Sequence, residues 1–327
     1  MGGTLRAHAS NVQSAIESQG AWASRPWGVE TPQTTASLHT GETHVLPVCN
    51  FREMRPPLDL GAPTAQTLRC LKTTRFPQLH WDISFLATNP TVRTKRFGMP
   101  TEAKGVRYPI RLLRYWFGFH LLREEALKAG RPLEIAEVGV HTGQMLQFYR
   151  SAAGAPPFER WTAYDAVVLG EKLKKAGYDD VVEANIEDPS FSLGREYDSA
   201  VVLHILEHLF EPEAAMTRIA ANIRPGGSII GGFPVLPDFL VKSRQAQVRK
   251  TAAPMGHVSI FSPHRVRAMA AGCGMTAEFV SGAFLMRSKG SPLENSAAWM
   301  RLNLLWGGLF PAWPGEVYWL MRKPGKL

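Results

Sequence analysis

The chain has 327 residues, 45% of them hydrophobic, a formal net charge of +9 and three cysteines. That length suits one large α/β domain with an attached segment, or two small domains. Cys49, Cys70 and Cys273 are odd in number and show no CxxC spacing, which argues against a disulfide framework or a cysteine zinc site and fits a reducing compartment.

The first residues lack the basic region, apolar run and cleavage site of a secretory signal, and no stretch approaches the roughly 18 apolar residues of a membrane span, so a cytoplasmic location is expected. The positive charge is spread along the chain. Its clusters, at Arg93, Lys95 and Arg96, at Arg107, Arg111 and Arg114, and at Lys242, Arg244, Arg249 and Lys250, read as solvated surface. Residues 1–104 are rich in Ser, Thr, Gly and Pro and hold no sustained period, so they read as a largely irregular N-terminal extension. Within it, Leu71 to Phe85 carries enough aromatic and apolar residues to pack as an arm.

Residues 105–327 read as one domain. From Tyr108 to Leu127 the apolar positions predict a strongly buried helix. After Gly130, short apolar runs alternate with helical stretches, the pattern of a parallel sheet with crossover helices. Strands are predicted at Ile135 to Val138, Trp161 to Tyr164, Val181 to Ala184 and Ser199 to Leu203. A fifth, Ser228 to Phe233, follows the turn Arg224-Pro225-Gly226-Gly227, and the clearest helix is Glu213 to Ile223. Met275 to Ser281 and Val317 to Arg322 complete seven strands. Pro237 to Met255 is polar and basic, suited to a lid over an anionic substrate, and Ser262-Pro263 opens a helix with serine at the cap. Trp299 to Trp313 is apolar enough to cover an apolar acceptor, to touch a membrane surface, or to pack as a core helix.

The first predicted strand runs into Glu137-Val138-Gly139-Val140-His141-Thr142-Gly143, where Gly139 and Gly143 free the backbone to turn tightly and approach a ligand. Asp165 ends the second strand, about twenty residues on, where a carboxylate accepts hydrogen bonds from the ribose of an adenosine cofactor. The three-glycine dinucleotide fingerprint is absent. A carboxylate at Glu137 suits the amino group of a methionine moiety better than a phosphate, which favours S-adenosylmethionine over NAD.

From Ile135 onward the chain resembles the class I S-adenosylmethionine-dependent methyltransferases, in the branch with a His-x-Leu-Glu-His block. The resemblance is carried by Ala136 to Gly143, Tyr164-Asp165, Asp198 to Leu209, Arg224 to Gly227 and Gly256 to Pro263. It implies a Rossmann-like α/β fold: a seven-stranded mixed sheet in the order 3-2-1-4-5-7-6 with helices on both faces. It also implies that Glu137, Gly139 and Gly143 cradle the methionine part, Asp165 the ribose, Asn185 and Ile186 the adenine edge, and that His204 borders the cofactor. The family usually has glycine at the position of His141 and aspartate at that of Asn185.

His204, Glu207 and His208 follow the fourth strand, where their chemistry would face the transferred group. Taken alone, H-x-x-E-H is also the inverted zinc-protease motif, but that needs a continuous helix, and the β-like run before it and Pro212 after it argue otherwise. Some methyltransferases resembling this chain bind a divalent cation here, which implies His204, Glu207, His208 and His257 as a ligand set preferring zinc or another transition metal. Without a metal, Glu207, His208 and His257 are the catalytic candidates, because imidazole takes a hydroxyl proton near neutral pH. The expected reaction is O-methylation of a small-molecule, glycan or lipid-like acceptor. A non-catalytic scaffold of the same fold is the rival, with zinc hydrolase and RNA methyltransferase behind it. No DNA partner is expected, peripheral membrane contact would run through 299–313, and the chain is a monomer or homodimer.

Overall fold

The computed structural model describes residues 76–84, 112–252, 256–286, 293, 296–313 and 315–325. The expectations for residues 1–75 and 85–111, including the start of the first helix and the basic clusters before Arg114, lie outside these. Among the described residues no helix is long and apolar enough to cross a membrane.

Seven strands form one sheet: β1 (Leu133–Val138), β2 (Phe158–Asp165), β3 (Asp180–Glu183), β4 (Tyr197–Leu203), β5 (Ile223–Val235), β6 (Thr276–Gly282) and β7 (Gly315–Arg322), ordered 3-2-1-4-5-7-6. β1 to β5 pair in parallel, and β7 is antiparallel to both β5 and β6. Both faces are covered, which is why the central strands are written as unbroken apolar runs. Ile135 and Val201 point into one core with α1 (Leu113–Ala129), α2 (Gln144–Ser151) and α7 (Ala297–Leu309). Ala136, Ala200 and Val202 point into the other with α4 (Pro212–Ala221) and α6 (Pro263–Gly272). Two further helices among the described residues are α3 (Gly170–Ala176) and α5 (Asp238–Lys250).

The sheet has two distinct ends. At the end where the parallel strands begin, Arg131 and Arg224 bind Asp198, and Arg322 at the close of antiparallel β7 binds Glu125 near the end of α1. A Cβ on Gly118 would touch Met145 Sδ at 2.9 Å and Leu203 Cδ1 at 3.4 Å, so α1 runs from the carboxyl end of the sheet downward.

Arg224 to Gly227 is not a turn ahead of the fifth strand. β5 begins at Ile223, opposite Tyr197, and the next pair is Ser228 with Ser199, so the Pro-Gly-Gly stretch is a bulge inside the strand. Gly226 takes φ 79°, and its N–H donates to the Lys323 carbonyl at 3.1 Å. Pairing with β7 and with the chain just after it carries the strand through a sequence that reads as a breaker.

Residues 76–84 pack on α1. Trp81 stacks on His120 at 4.9 Å and meets Trp116 edge-on at 5.2 Å. Its indole donates to Glu124 at 2.6 Å, and Trp116 donates to the Asp82 carbonyl at 2.7 Å. Burial pushes the His120 pKa down to about 3.

Trp299 to Trp313 becomes α7 and its following turn, one face core and the other open. Met300, Asn303, Leu304 and Gly307 are buried, while Leu302, Leu309, Phe310 and Trp313 are exposed. Gly307 is where the helix meets β6: a Cβ there would lie 2.0 Å from the Gly282 carbonyl oxygen. Helix propensity alone would favour alanine by up to about 1 kcal/mol. Backbone overlap of that size outweighs it, so Gly307→Ala is expected to destabilise the fold by roughly 1–3 kcal/mol in urea unfolding; a neutral or stabilising result would show that α7 moves freely over β6.

Candidate active site

In parallel α/β sheets ligands sit outside the carboxyl ends of the strands, and the sequence-predicted residues converge on that end. After β1 the chain turns with Gly139 at φ 76°, His141 at 49° and Gly143 at 76°. Two of these are glycine, for which the left-handed region carries no Cβ penalty. His141 is held there by its amide, which donates to Asp165 Oδ2 at 2.7 Å, and its side chain is exposed. The imidazole in the loop therefore faces away from the interior. A Cβ on Gly139 would press on Ile205 at 3.0 Å, so the loop after β1 is fitted directly against the loop after β4.

Asp165 closes β2 and also accepts from the Val167 amide at 3.2 Å through Oδ1. It stands across from the start of α2, whose first amides have no partner within the helix. Asn185, beyond β3, is exposed, and its Oδ1 accepts from the Glu187 amide at 3.0 Å. Ile186 turns its side chain into the core, so what it offers at the rim is backbone.

Glu137 lies inside. Its Oε2 accepts from Trp161 Nε1 at 3.0 Å and from the Tyr178 hydroxyl at 2.7 Å, and burial raises its pKa to about 7 against the help of those two bonds. Neither Trp161 nor Tyr178 was singled out from sequence, because they come from β2 and from beyond α3 and meet Glu137 only in the fold.

The block after β4 is not helical throughout. β4 ends at Leu203, His204 takes φ 55°, and a single 3-10 turn spans Leu206–His208. Without a continuous helix the inverted zinc-protease geometry does not form. Glu207 is almost wholly buried, and neither carboxylate oxygen accepts a well-formed hydrogen bond. His204 Nδ1 lies 3.3 Å from Glu207 Oε1. Burial works to raise the Glu207 pKa, but His204 and His208 outweigh it and hold the carboxyl below its usual value.

His208 Nδ1 sits 3.1 Å from the Gly256 carbonyl, an arrangement that requires a proton on Nδ1, so that the lone pair of the neutral ring is on Nε2. Its ring meets His257 edge-on at 4.9 Å. The segment bearing His257 is strapped down, since the Val258 and Ser259 amides both donate to the Glu207 carbonyl, at 2.8 and 3.0 Å. Ligating atoms of Glu207, His208 and His257 all lie within 4.8 Å of one another. His204 is not part of that group; its Nδ1 faces Glu207 and its ring lies 6.4 Å from that of Tyr318.

Pro237 to Met255, expected as a lid, is built mainly as α5. Gln245 fixes it over the strap, donating to the Val258 carbonyl at 2.6 Å and accepting from the Ile260 amide at 2.9 Å. Arg114, expected on a solvated surface, is half-buried at the start of α1; burial lowers its pKa, but Tyr318, Tyr115, Glu316 and Glu207 together raise it above the ordinary value. Nothing in the sequence marks Arg114, because its carboxylate neighbours lie on β7 and beyond β4.

Residues 110–278 match the family model described as a methyltransferase domain. No curated protein matches the chain. Among solved structures it is similar to the N-methyltransferase NodS from Bradyrhizobium japonicum WM9 in complex with S-adenosylhomocysteine, at 14% identity and TM-score 0.43, covering 77% of this chain and all of that one. It is also similar to the 1,6-didemethyltoxoflavin-N1-methyltransferase of Burkholderia thailandensis, at 14% identity and TM-score 0.40, over 72% and 88%. An O-methyltransferase family protein from the same organism matches at 12% identity and TM-score 0.43, over 80% and 71%. With the family model spanning more than half of the chain and the sheet ordered 3-2-1-4-5-7-6, the chain belongs to the methyltransferase-domain family and is a class I S-adenosylmethionine-dependent methyltransferase.

Proposed function

We propose that this methyltransferase acts on oxygen, in a small-molecule, glycan or lipid-like acceptor, with Glu207, His208 and His257 on the acceptor side. The observation that carries the proposal is His208 Nδ1 lying 3.1 Å from the Gly256 carbonyl: a proton on Nδ1 leaves Nε2 of the neutral ring to take a hydroxyl proton. His257 lies beside it, and burial lowers the His257 pKa, which favours the neutral, proton-accepting ring.

The cofactor residues fit their group. The open backbone at Gly139 and Gly143, the amino end of α2 and the carboxylate of Asp165 would hold its methionine and ribose parts. Asn185 and the backbone of Ile186 border the adenine, while Glu137 and His204 complete the surround. When bound, S-adenosylmethionine supplies an activated methyl group on its sulfonium sulfur. The chain's own contribution is to keep acceptor and methyl in line and to remove a proton. Residues 105–327 form the catalytic domain, with the arm around Trp81 docked on it.

A second reading is favoured by the cluster itself. Three ligating atoms within 4.8 Å, one a buried carboxylate without a well-formed hydrogen bond, fit a divalent transition metal at Glu207, His208 and His257. His204 would then orient the Glu207 carboxylate rather than ligate. A metal there would lower the pKa of the accepting hydroxyl.

Calorimetric titration with S-adenosylhomocysteine, with and without chelator, together with metal analysis of the purified protein, tests both readings. The expected result is micromolar binding unaffected by chelator. One equivalent of zinc lost on Glu207→Ala would establish the metal reading, and a protein free of metal after dialysis against zinc would remove it. No cofactor binding by a folded preparation would favour a scaffold role.

A further inference from the structure

The exposed apolar side chains are distributed unevenly. At the carboxyl end of the sheet stand Phe210 after β4, Phe239 at the start of α5, Met286 after β6, Leu309 at the end of α7, and Phe310 and Trp313 between α7 and β7. Phe239 is 79% exposed and Trp313 54%. At the opposite end, the described segments 130–132, 152–157, 177–179, 190–196 and 272–275 carry no exposed large apolar side chain. Scattered apolar exposure needs no explanation, but its gathering at one end does.

The apolar tip after α7 is built into place. Trp306 packs on Phe310 at 4.5 Å between ring centroids, and its indole donates to the Trp313 carbonyl at 3.1 Å. Phe310 and Trp313 are thus presented by a structured turn, not by a loose loop.

Within this end the helix α5 is basic. α5 lies across the ends of β4 and β5, fixed by Gln245 and by Arg249, which donates to the Phe210 carbonyl at 3.1 Å. It carries Lys242, Arg244, Arg249 and Lys250 against Asp238 alone. Among the described residues none of Lys242, Arg244 and Lys250 is ion-paired to a carboxylate. Between α5 and α6 a cleft of about 690 Å³ opens, lined by Lys242, Arg249, His264 and Arg265 among others.

We infer that the carboxyl end of the sheet is a membrane-docking face that seats on an anionic lipid surface. Phe239, Phe310 and Trp313 enter the headgroup region, and the basic side of α5 meets the lipid phosphates. This pairing of aromatic tips with a basic helix selects the occupant: a neutral protein surface would leave the cations of α5 unmatched, and a second copy, itself +9, would repel them. The face surrounds the mouth of the candidate site, so a docked molecule would open that site toward the bilayer. The inference stands on exposure and charge and does not depend on which atom is methylated.

The test is sedimentation of the full chain with vesicles of phosphatidylcholine containing phosphatidylglycerol, against phosphatidylcholine alone. Binding is expected to the acidic vesicles, with a blue shift of tryptophan fluorescence, and little to the neutral ones. Lys242→Ala with Arg244→Ala is expected to weaken binding about tenfold or more, and Phe239→Ser with Trp313→Ser to a similar degree. Titration with S-adenosylhomocysteine, unchanged in both variants, shows that the fold and cofactor site are intact. Loss of that titration in the native chain would count against the cofactor site without touching the docking result. Absence of binding to acidic vesicles, or binding that neither pair of substitutions alters, overturns the inference. So does a native dimer that the apolar substitutions convert to monomer while vesicle binding persists.

Discussion

Asp165→Ala is expected to lower the affinity for S-adenosylhomocysteine by at least about a hundredfold, on the scale of hydrogen bonds to a charged group at roughly 1.5–3 kcal/mol each. Two effects combine. The carboxylate is the acceptor for the ribose hydroxyls in the proposed complex, and it also fixes the loop that faces them. His141 is a non-glycine residue in the left-handed region, and the bond from its amide to Asp165 Oδ2 at 2.7 Å is what the structure offers to hold it there. Without that anchor the loop relaxes and the glycine positions on either side lose their alignment with the start of α2. Asp165→Asn keeps one acceptor for His141 and separates the effects: it is expected to retain the folded loop and lose a smaller part of the affinity. Thermal unfolding of each variant, run beside the calorimetry, shows whether the fold survives. Undiminished binding by folded Asp165→Ala would mean that the ribose is held elsewhere.

Much of the fold is written where neighbours in sequence decide the outcome. The parallel strands are legible because burial on both faces demands apolar residues at successive positions, as in Ala200-Val201-Val202. Glycines at 139 and 143 are legible because positive φ selects them. What stays hidden depends on partners far along the chain. Arg114 reads as one of a string of surface cations until the fold sets it near Glu316 and Glu207. Ile186 reads as a rim residue, yet its side chain completes the core beside Phe191 and Leu206. β5 starts earlier than expected because pairing of Ile223 with Tyr197, and of Gly226 and Gly227 with Lys323, overrides the Pro-Gly-Gly signal. His204 faces Glu207 from a left-handed backbone, a conformation that no pattern of residue types announces.

Replacing Glu137 with glutamine is expected to stabilise the protein above neutral pH and to have a much smaller effect at pH 5. The carboxyl is buried, and its folded pKa of about 7 stands above the ordinary value of 4.5. Below 4.5 the folded and unfolded chains both hold the proton, and no penalty arises. Between 4.5 and 7 the unfolded chain gives up a proton that the folded chain keeps, so stability falls as pH rises. Above about 7 the loss is complete, at roughly 3 kcal/mol. Glutamine carries no charge at any of these pH values. Its oxygen, placed where Oε2 now sits, still accepts from Trp161 and Tyr178, because both donate to that one atom. Urea unfolding of native protein and Glu137→Gln at pH 5 and pH 8 measures the effect directly. The difference should open from about 1 kcal/mol or less at pH 5 to roughly 3 kcal/mol at pH 8 in favour of the variant. An equal difference at both pH values would mean that Glu137 keeps an ordinary pKa in the folded chain. The same variant examines the proposed cofactor role. An ammonium beside Glu137 would draw the carboxyl into its ionised form, so the affinity for S-adenosylhomocysteine at pH 8 should fall about tenfold in Glu137→Gln. Unchanged affinity, together with the pH-dependent gain in stability, would leave Glu137 as an internal anchor for Trp161 and Tyr178 and assign the methionine amino group to the backbone of the 139–143 loop.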